Sequence, residues 1–199
     1  LELPSTFPIK NRPIYDMSKK IGNLNYKTME EKKPLILKYL KVLLERHKGQ
    51  RGIIHSSSYE LANYICENLK DPRLFTPKGK NKDFEINQFL SDETKKDGVF
   101  VSPSLTEGLD LRDDLGRFSI IVKAPYANLG DPWVKRRAEV DPNWYQNNTL
   151  KTIIQSCGRT IRSETDYSDT YILDKSVMDL INKNLKIVPN YFYDSIKEV

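Results

Sequence analysis

The sequence predicts an α/β fold, with a mostly parallel central sheet covered by helices on both faces. Three observations carry this. Short runs such as Gly52-Ile-Ile-His55 and Phe118-Ser-Ile-Ile-Val122 are almost continuously apolar, as expected of strands buried on both sides. Between them lie segments whose apolar residues recur at helical spacing. The two kinds of segment alternate along the chain, which is the order of βαβ units.

Residues 1–28 carry Pro4, Pro8, Pro13 and Gly22 with little periodicity and read as an extended, basic arm. Residues 29–199 read as a single domain. Its first helix starts at Met29, shows Leu35, Ile36, Tyr39, Leu40, Val42, Leu43 and Leu44 as its apolar positions, and ends near Gly49. Gly52–Ser56 is the first strand. Ser58 then caps a helix whose Leu61, Ala62, Ile65, Cys66 and Leu69 form one stripe. A less regular helix spans about 83–90. Gly98–Ser102 and Phe118–Val122 are the next strands. Asp131-Pro132 opens a helix, with aspartate as cap and proline in the first turn. Asp141-Pro142 repeats that signature and opens a longer helix predicted to reach Arg162. Thr170–Leu173 is a fourth strand, and Ser176–Asn184 a last helix.

The length of 199 residues fits one domain. A hydrophobic fraction of 38% is low and a charged fraction of 30% high, so the surface is unusually polar or the chain is part of something larger. No apolar run approaches the ~20 residues of a membrane span, and Leu1–Lys10 lacks a signal-peptide pattern. Cys66 and Cys157 are too few for a disulfide framework or a four-cysteine metal site. A reducing, intracellular setting is therefore expected: cytoplasm, or nucleus in a eukaryote. Net charge is +5, and the first fifty residues hold 11 Lys/Arg against 5 Asp/Glu. That excess fits a phosphate-bearing partner or a solvated surface.

Three segments carry candidate chemistry. In Gln155-Ser-Cys-Gly-Arg-Thr-Ile-Arg162, helical spacing i, i+4, i+7 aligns Gln155, Arg159 and Arg162 on one stripe, opposite Leu150, Ile153, Ile154, Cys157 and Ile161. Two guanidinium forks side by side suit phosphate oxygens. The alternative is a pair of surface salt bridges to Glu164 and Asp166. In Ser102–Leu111, Ser102, Ser104 and Thr106 offer hydroxyls, Gly108 an open backbone, and Glu107 and Asp110 carboxylates. Such a loop can hold a nucleic-acid backbone or a ribose, or it is an ordinary polar loop. Ser56-Ser57-Ser58 places hydroxyls at a helix N-terminus, suited to an anion or to simple capping. In open parallel sheets, ligands sit at the carboxyl ends of the strands, so the loops after Ser56, Ser102 and Val122 are the ones expected to bind. His47 and His55 stand alone and support neither a metal site nor a triad; His55 reads as a satisfied core histidine. Trp133, Trp144 and Tyr145 cluster, mostly as packing, with a base-stacking role open to one or two. No phosphate loop is present: Gly79-Lys80 has Leu74 where the first glycine belongs and Asn81 where the hydroxyl belongs. Asp92-Glu93 follows a helical segment and not a strand, so it is not read as a magnesium-binding pair.

In this order the three segments resemble motifs IV, V and VI of superfamily 2 helicases, in particular the XPD/DinG group. Thr106-Glu107-Gly108-Leu109-Asp110 resembles the group's Glu-Gly-Ile/Val-Asp motif. Gln155-x-x-Gly158-Arg159-x-x-Arg162-Ser163 resembles motif VI, with Asp166 in the following turn. Phe7-Pro8-x-x-Asn11-Arg12-Pro13, Lys123-x-Pro125-Tyr126, Asp131-Pro132 and Ile172-Leu173-Asp174 also fit. The resemblance implies a RecA-like three-layer sandwich, the second of two motor lobes of an ATP-dependent DNA helicase. It implies that Arg159 and Arg162 reach the ATP γ-phosphate as arginine fingers and that Gln155 positions the phosphate or attacking water. It places Glu107, Gly108 and Asp110 at the nucleotide cleft, with Asp110 at the ribose. It assigns Ser57, Ser58, Ser104 and Thr106 to the backbone of single-stranded DNA. ATP and Mg²⁺ would be shared with a first lobe, the second partner implied. That lobe bears the phosphate loop and often an iron–sulfur cluster, neither of which this chain encodes. A monomer without ATPase activity of its own is expected. The competing readings are a nucleic-acid-binding module without motor function, and a metal-dependent nuclease using Glu107, Asp110 and Asp113.

Overall fold

The computed structural model describes residues 5–77, 82–102, 111 and 113–199. The apolar runs form strands as their composition demands. Seven strands make one sheet: β1 (Ile14–Asp16), β2 (Gly52–His55), β3 (Leu74–Phe75), β4 (Val99–Ser102), β5 (Phe118–Ile121), β6 (Asp169–Ile172) and β7 (Ile196–Glu198). Their order is β3-β4-β2-β5-β6-β1-β7 and every neighbouring pair is parallel. β2, β4 and β5 are buried at every position, which is why their sequences show no polar alternation.

Period-two alternation sorts these side chains onto two faces. On the first, Ile54, Val99, Val101, Phe118, Ile120 and Tyr171 pack against α2 (Met29–Arg46) and α3 (Tyr59–Leu69). On the second, Ile121 and Ile172 pack with α6 (Pro142–Cys157) and α7 (Lys175–Lys183). On that same face Ile53 and Phe100 pack with α4 (Lys82–Ser91). Helices thus cover both faces, and the three-layer α/β architecture is the one expected. Two short helices, α1 (Ser18–Ile21) and α8 (Asn190–Tyr193), complete the layers, and α5 (Pro132–Val140) lies against α6. The capping aspartates act as their sequence predicts. Asp131 accepts from the Trp133 and Val134 amides at 2.8 and 3.2 Å, and Asp141 from Trp144 at 3.0 Å.

Two elements differ from the sequence reading. Part of the segment read as an arm is inside the fold: β1 lies between β6 and β7, and Met17 donates to the Ile172 carbonyl at 3.0 Å. Three residues are too few to show periodicity, and the prolines before them read as loop. Second, α6 ends at Cys157 rather than at Arg162. Gly158 is its C-cap and disfavours helix by about 1 kcal/mol. Beyond it the Arg162 amide, which a continued helix would direct at the i−4 carbonyl, donates instead to the Asp166 carboxylate at 3.2 Å. The single stripe of Gln155, Arg159 and Arg162 therefore does not form as a helix face.

Candidate functional site

The arginines sit on the turn between α6 and β6, at the amino-terminal edge of the parallel sheet. Asp166 organises the turn. Its side chain is fully buried and accepts from four donors. Oδ1 takes Arg117 Nη1 at 2.8 Å and the Tyr167 amide at 2.9 Å. Oδ2 takes the Asp113 and Arg162 amides, each at 3.2 Å. The carboxylate read as a surface partner for the arginine side chains instead holds Arg117 and the backbone of Arg162. Asn11 clamps the turn from the other side: its Nδ2 donates to the Glu164 carbonyl at 2.9 Å, and its own carbonyl accepts from the Ser168 amide at 2.9 Å.

Arg159 is half-buried and Arg162 exposed. Burial, and secondly the charge of Arg162, hold the Arg159 guanidinium below its usual range. The two cations are thus close enough to feel each other, although no helix aligns them. Such a pair gains from an anion placed between its forks. Gln155 is exposed on the last turn of α6. Cys157 is buried in the same region, and desolvation pushes its thiol up to about 12, which leaves it unreactive.

At the opposite, carboxyl edge, β2 runs into the serine loop. The Ser56 amide donates to the Ser102 carbonyl at 2.9 Å, joining the ends of β2 and β4. Ser57 has φ of 65°, a left-handed conformation uncommon outside glycine, and its hydroxyl donates to the Lys123 carbonyl at 2.8 Å. Ser58 caps α3, its hydroxyl accepting from the Leu61 amide at 3.2 Å. Both expected nucleic-acid contacts therefore also serve the fold. Ser58 keeps its proton and Ser57 its lone pairs for a second partner. Ser104, Thr106, Glu107, Gly108 and Asp110 lie outside the described residues.

His55 ends β2 on the second face, between the two apolar clusters there, diagonal to Ser119 on β5. It is a core histidine but not a satisfied one. Among the described residues neither ring nitrogen has a hydrogen-bond partner, nor does Ser119 Oγ or Thr160 Oγ1. Burial, with a smaller contribution from the Arg159 charge, lowers its pKa to about 3, so it is neutral at pH 7. His47 is buried on the other face and is satisfied, bonding Gln50 at 2.7 Å and the Tyr171 hydroxyl at 2.9 Å. Asp174, read only as a strand end, is a structural hub. It accepts from the Leu24, Ala124 and Ser176 amides at 2.9–3.0 Å. The Ser176 contact is the N-cap of α7 and is local, while Leu24 and Ala124 are distant in sequence, so no local spacing signals those two. Among the described residues no group of three or more His, Cys, Asp or Glu side chains is placed to hold a metal ion. No helix among them is long and apolar enough to cross a membrane.

An all-parallel sheet with helices on both faces, a serine loop at one edge and paired arginines at the other defines an α/β domain of RecA-like type. Residues 40–192 match the family described as the helicase C-terminal domain, and the chain belongs to that family. It is similar to ATP-dependent DNA helicase CHL1 of Candida albicans, at 28% identity over 161 residues, covering 69% of this chain and 18% of that protein. It is also similar to the protein of the same name from Schizosaccharomyces pombe, at 25% identity over 146 residues, covering 56% of this chain and 17% of that one. A solved structure described as an XPD helicase superposes with a TM-score of 0.70 at 20% identity, over 94% of this chain and 35% of that one. The chain thus spans less than a fifth of the length of these curated relatives.

Proposed function

We propose that this domain is the second motor lobe of an ATP-dependent DNA helicase of the XPD/DinG type. Membership of the helicase C-terminal family is the observation that carries the reading, and the arginine turn supports it. In this reading Arg159 and Arg162 approach ATP held on a first lobe. Their charges oppose the negative charge that develops on the transferring γ-phosphoryl group. The donor chemistry fits: two neighbouring guanidinium forks suit phosphate oxygens. Gln155, four residues before Arg159, positions the phosphate or the attacking water. Glu107, Gly108 and Asp110 belong to the same cleft. Any Mg²⁺ is held chiefly by the nucleotide and the first lobe. At the carboxyl edge Ser57, Ser58, Ser104 and Thr106 contact the backbone of single-stranded DNA, where hydroxyls and amides position without reading sequence.

Steady-state ATP hydrolysis tests this. The 199-residue chain alone is expected to be inactive with or without DNA. Joined to a first lobe, Arg159→Ala or Arg162→Ala should lower turnover by roughly 10³–10⁵ with unchanged circular dichroism. DNA-stimulated turnover by the isolated chain, or near-normal turnover in both variants, refutes the assignment.

A further inference from the structure

The basic excess of the first fifty residues is concentrated where the chain enters α2. Residues 17–33 hold five lysines against two glutamates. In that stretch the turn before α2 presents Tyr26, which is 96% exposed, beside exposed Lys27. The turn itself is tied down. The Asn25 side chain accepts from the Lys27 and Thr28 amides at 2.9 and 3.2 Å, and the Thr28 hydroxyl donates to the Asn23 carbonyl at 2.7 Å. The ring is thus held in water by an ordered backbone.

Tyr26 and Lys27 line a groove of about 550 Å³ that includes part of the serine loop. Ser58 lines the same groove, as does Lys123, whose carbonyl holds the Ser57 hydroxyl at 2.8 Å. The two carboxylates of the groove, Glu30 and Glu60, both face Lys33, at 2.5 and 3.8 Å. Lys27 and Lys123 enter no ion pair among the described residues. Counting Lys123 and Glu60 with residues 17–33, six lysines stand against three glutamates. The surplus is positive, and its two unengaged cations lie in the groove that Ser58 shares.

We propose that this groove continues the path of single-stranded DNA from the serine loop: Lys27 and Lys123 take a backbone phosphate beside Ser58, and Tyr26 stacks on a base of the same strand. This rests on the nucleic-acid reading of Ser57 and Ser58 and extends it to residues outside the three motifs. Ammonium groups without a carboxylate attract phosphate and release its counterions. The Ser58 hydroxyl, which caps α3 as an acceptor, still has its proton to donate to a phosphate oxygen. An exposed ring next to such a phosphate site suits a nucleic acid, because every base offers a face to stack on.

Anisotropy of labelled oligo(dT), titrated with the 199-residue chain over a range of salt, tests this. Lys27→Gln and Lys123→Gln should each reduce the slope of log K against log salt by about 0.7, the value of one single-strand phosphate contact. Lys41→Gln, an exposed lysine in the second half of α2, should leave the slope unchanged. Tyr26→Ala should weaken binding roughly 5- to 150-fold, and Tyr26→Phe should restore most of it. Wild-type binding that all three groove substitutions leave intact overturns the groove and spares the serine-loop reading. A slope loss in Lys41→Gln equal to that of the groove lysines reduces the effect to general charge and also overturns it. Polyglutamate that competes as well as unlabelled oligo(dT) assigns the groove to an acidic protein surface and overturns it too. Absence of oligo(dT) binding by the wild-type chain overturns both readings.

Discussion

Replacing Asp166 tests the claim that the arginine turn is held by tertiary contacts and not by helix. The carboxylate is fully buried and both oxygens face donors only: Arg117 Nη1 and the Tyr167 amide on one, the Asp113 and Arg162 amides on the other. Removing one member of a buried ion pair costs about 3–5 kcal/mol. Arg117 retains Asp114 at 2.8 Å and the Tyr167 carbonyl at 3.1 Å, which places the loss at the lower end of that range. Asp166→Ala is therefore expected to destabilise by ~3 kcal/mol. Asp166→Asn should cost nearly as much, because either amide orientation aims an NH₂ group at existing donors. Urea unfolding measures this. With m of about 3 kcal/mol/M, both midpoints fall by ~1 M. An Asn variant within ~0.2 M of wild type would refute the four-donor geometry.

Two further outcomes are expected. The folded pKa of His55, about 3, lies below its ordinary 6.5, so protons bind the unfolded chain preferentially between these values. Its contribution to stability is complete above pH 6.5 and is lost as pH falls towards 3, at up to about 1.4 kcal/mol per pH unit. His47, also depressed by burial, adds to the same acid limb. His55→Phe removes two buried nitrogens that lack partners among the described residues, so urea midpoints should hold or rise at pH 7 and fall less steeply at pH 4.5. A pH profile parallel to wild type contradicts this. Ser58→Ala removes the α3 cap and should cost ~1 kcal/mol by the same assay, even without nucleic acid. An unchanged midpoint would assign the hydroxyl to binding alone.

The elements most legible in the sequence are those whose signal is local. Buried strands such as Gly52–His55 are almost continuously apolar, and α3, α5 and α6 carry their capping serine or aspartate at the expected position. Short edge elements were not legible. Leu74–Phe75 and Ile196–Glu198 are strands because a neighbour offers a free ladder edge, which composition does not encode. The unsatisfied state of the His55 nitrogens is not legible for a related reason. An apolar strand tells that a side chain is buried, while satisfaction depends on what faces it from β5 and beyond.

The end of α6 shows what such a misreading hides. Gln155, Arg159 and Arg162 keep helical spacing through Arg162, and Ile161 remains buried, so periodicity persists past the point where the helix stops. What decides the outcome is a competition for the Arg162 amide. A continued helix offers it the carbonyl of Gly158, and the fold offers a buried carboxylate, the stronger acceptor. That carboxylate is positioned by Arg117 at the start of β5, and the turn is clamped by Asn11. The placement of both arginines is thereby a property of the sheet's amino edge and of the segment that reads as an arm. Changes at Asn11 or Asp166 should displace the guanidiniums while leaving α6 whole. Helix-favouring changes at Gly158 should displace them by extending α6 and withdrawing the Arg162 amide from Asp166.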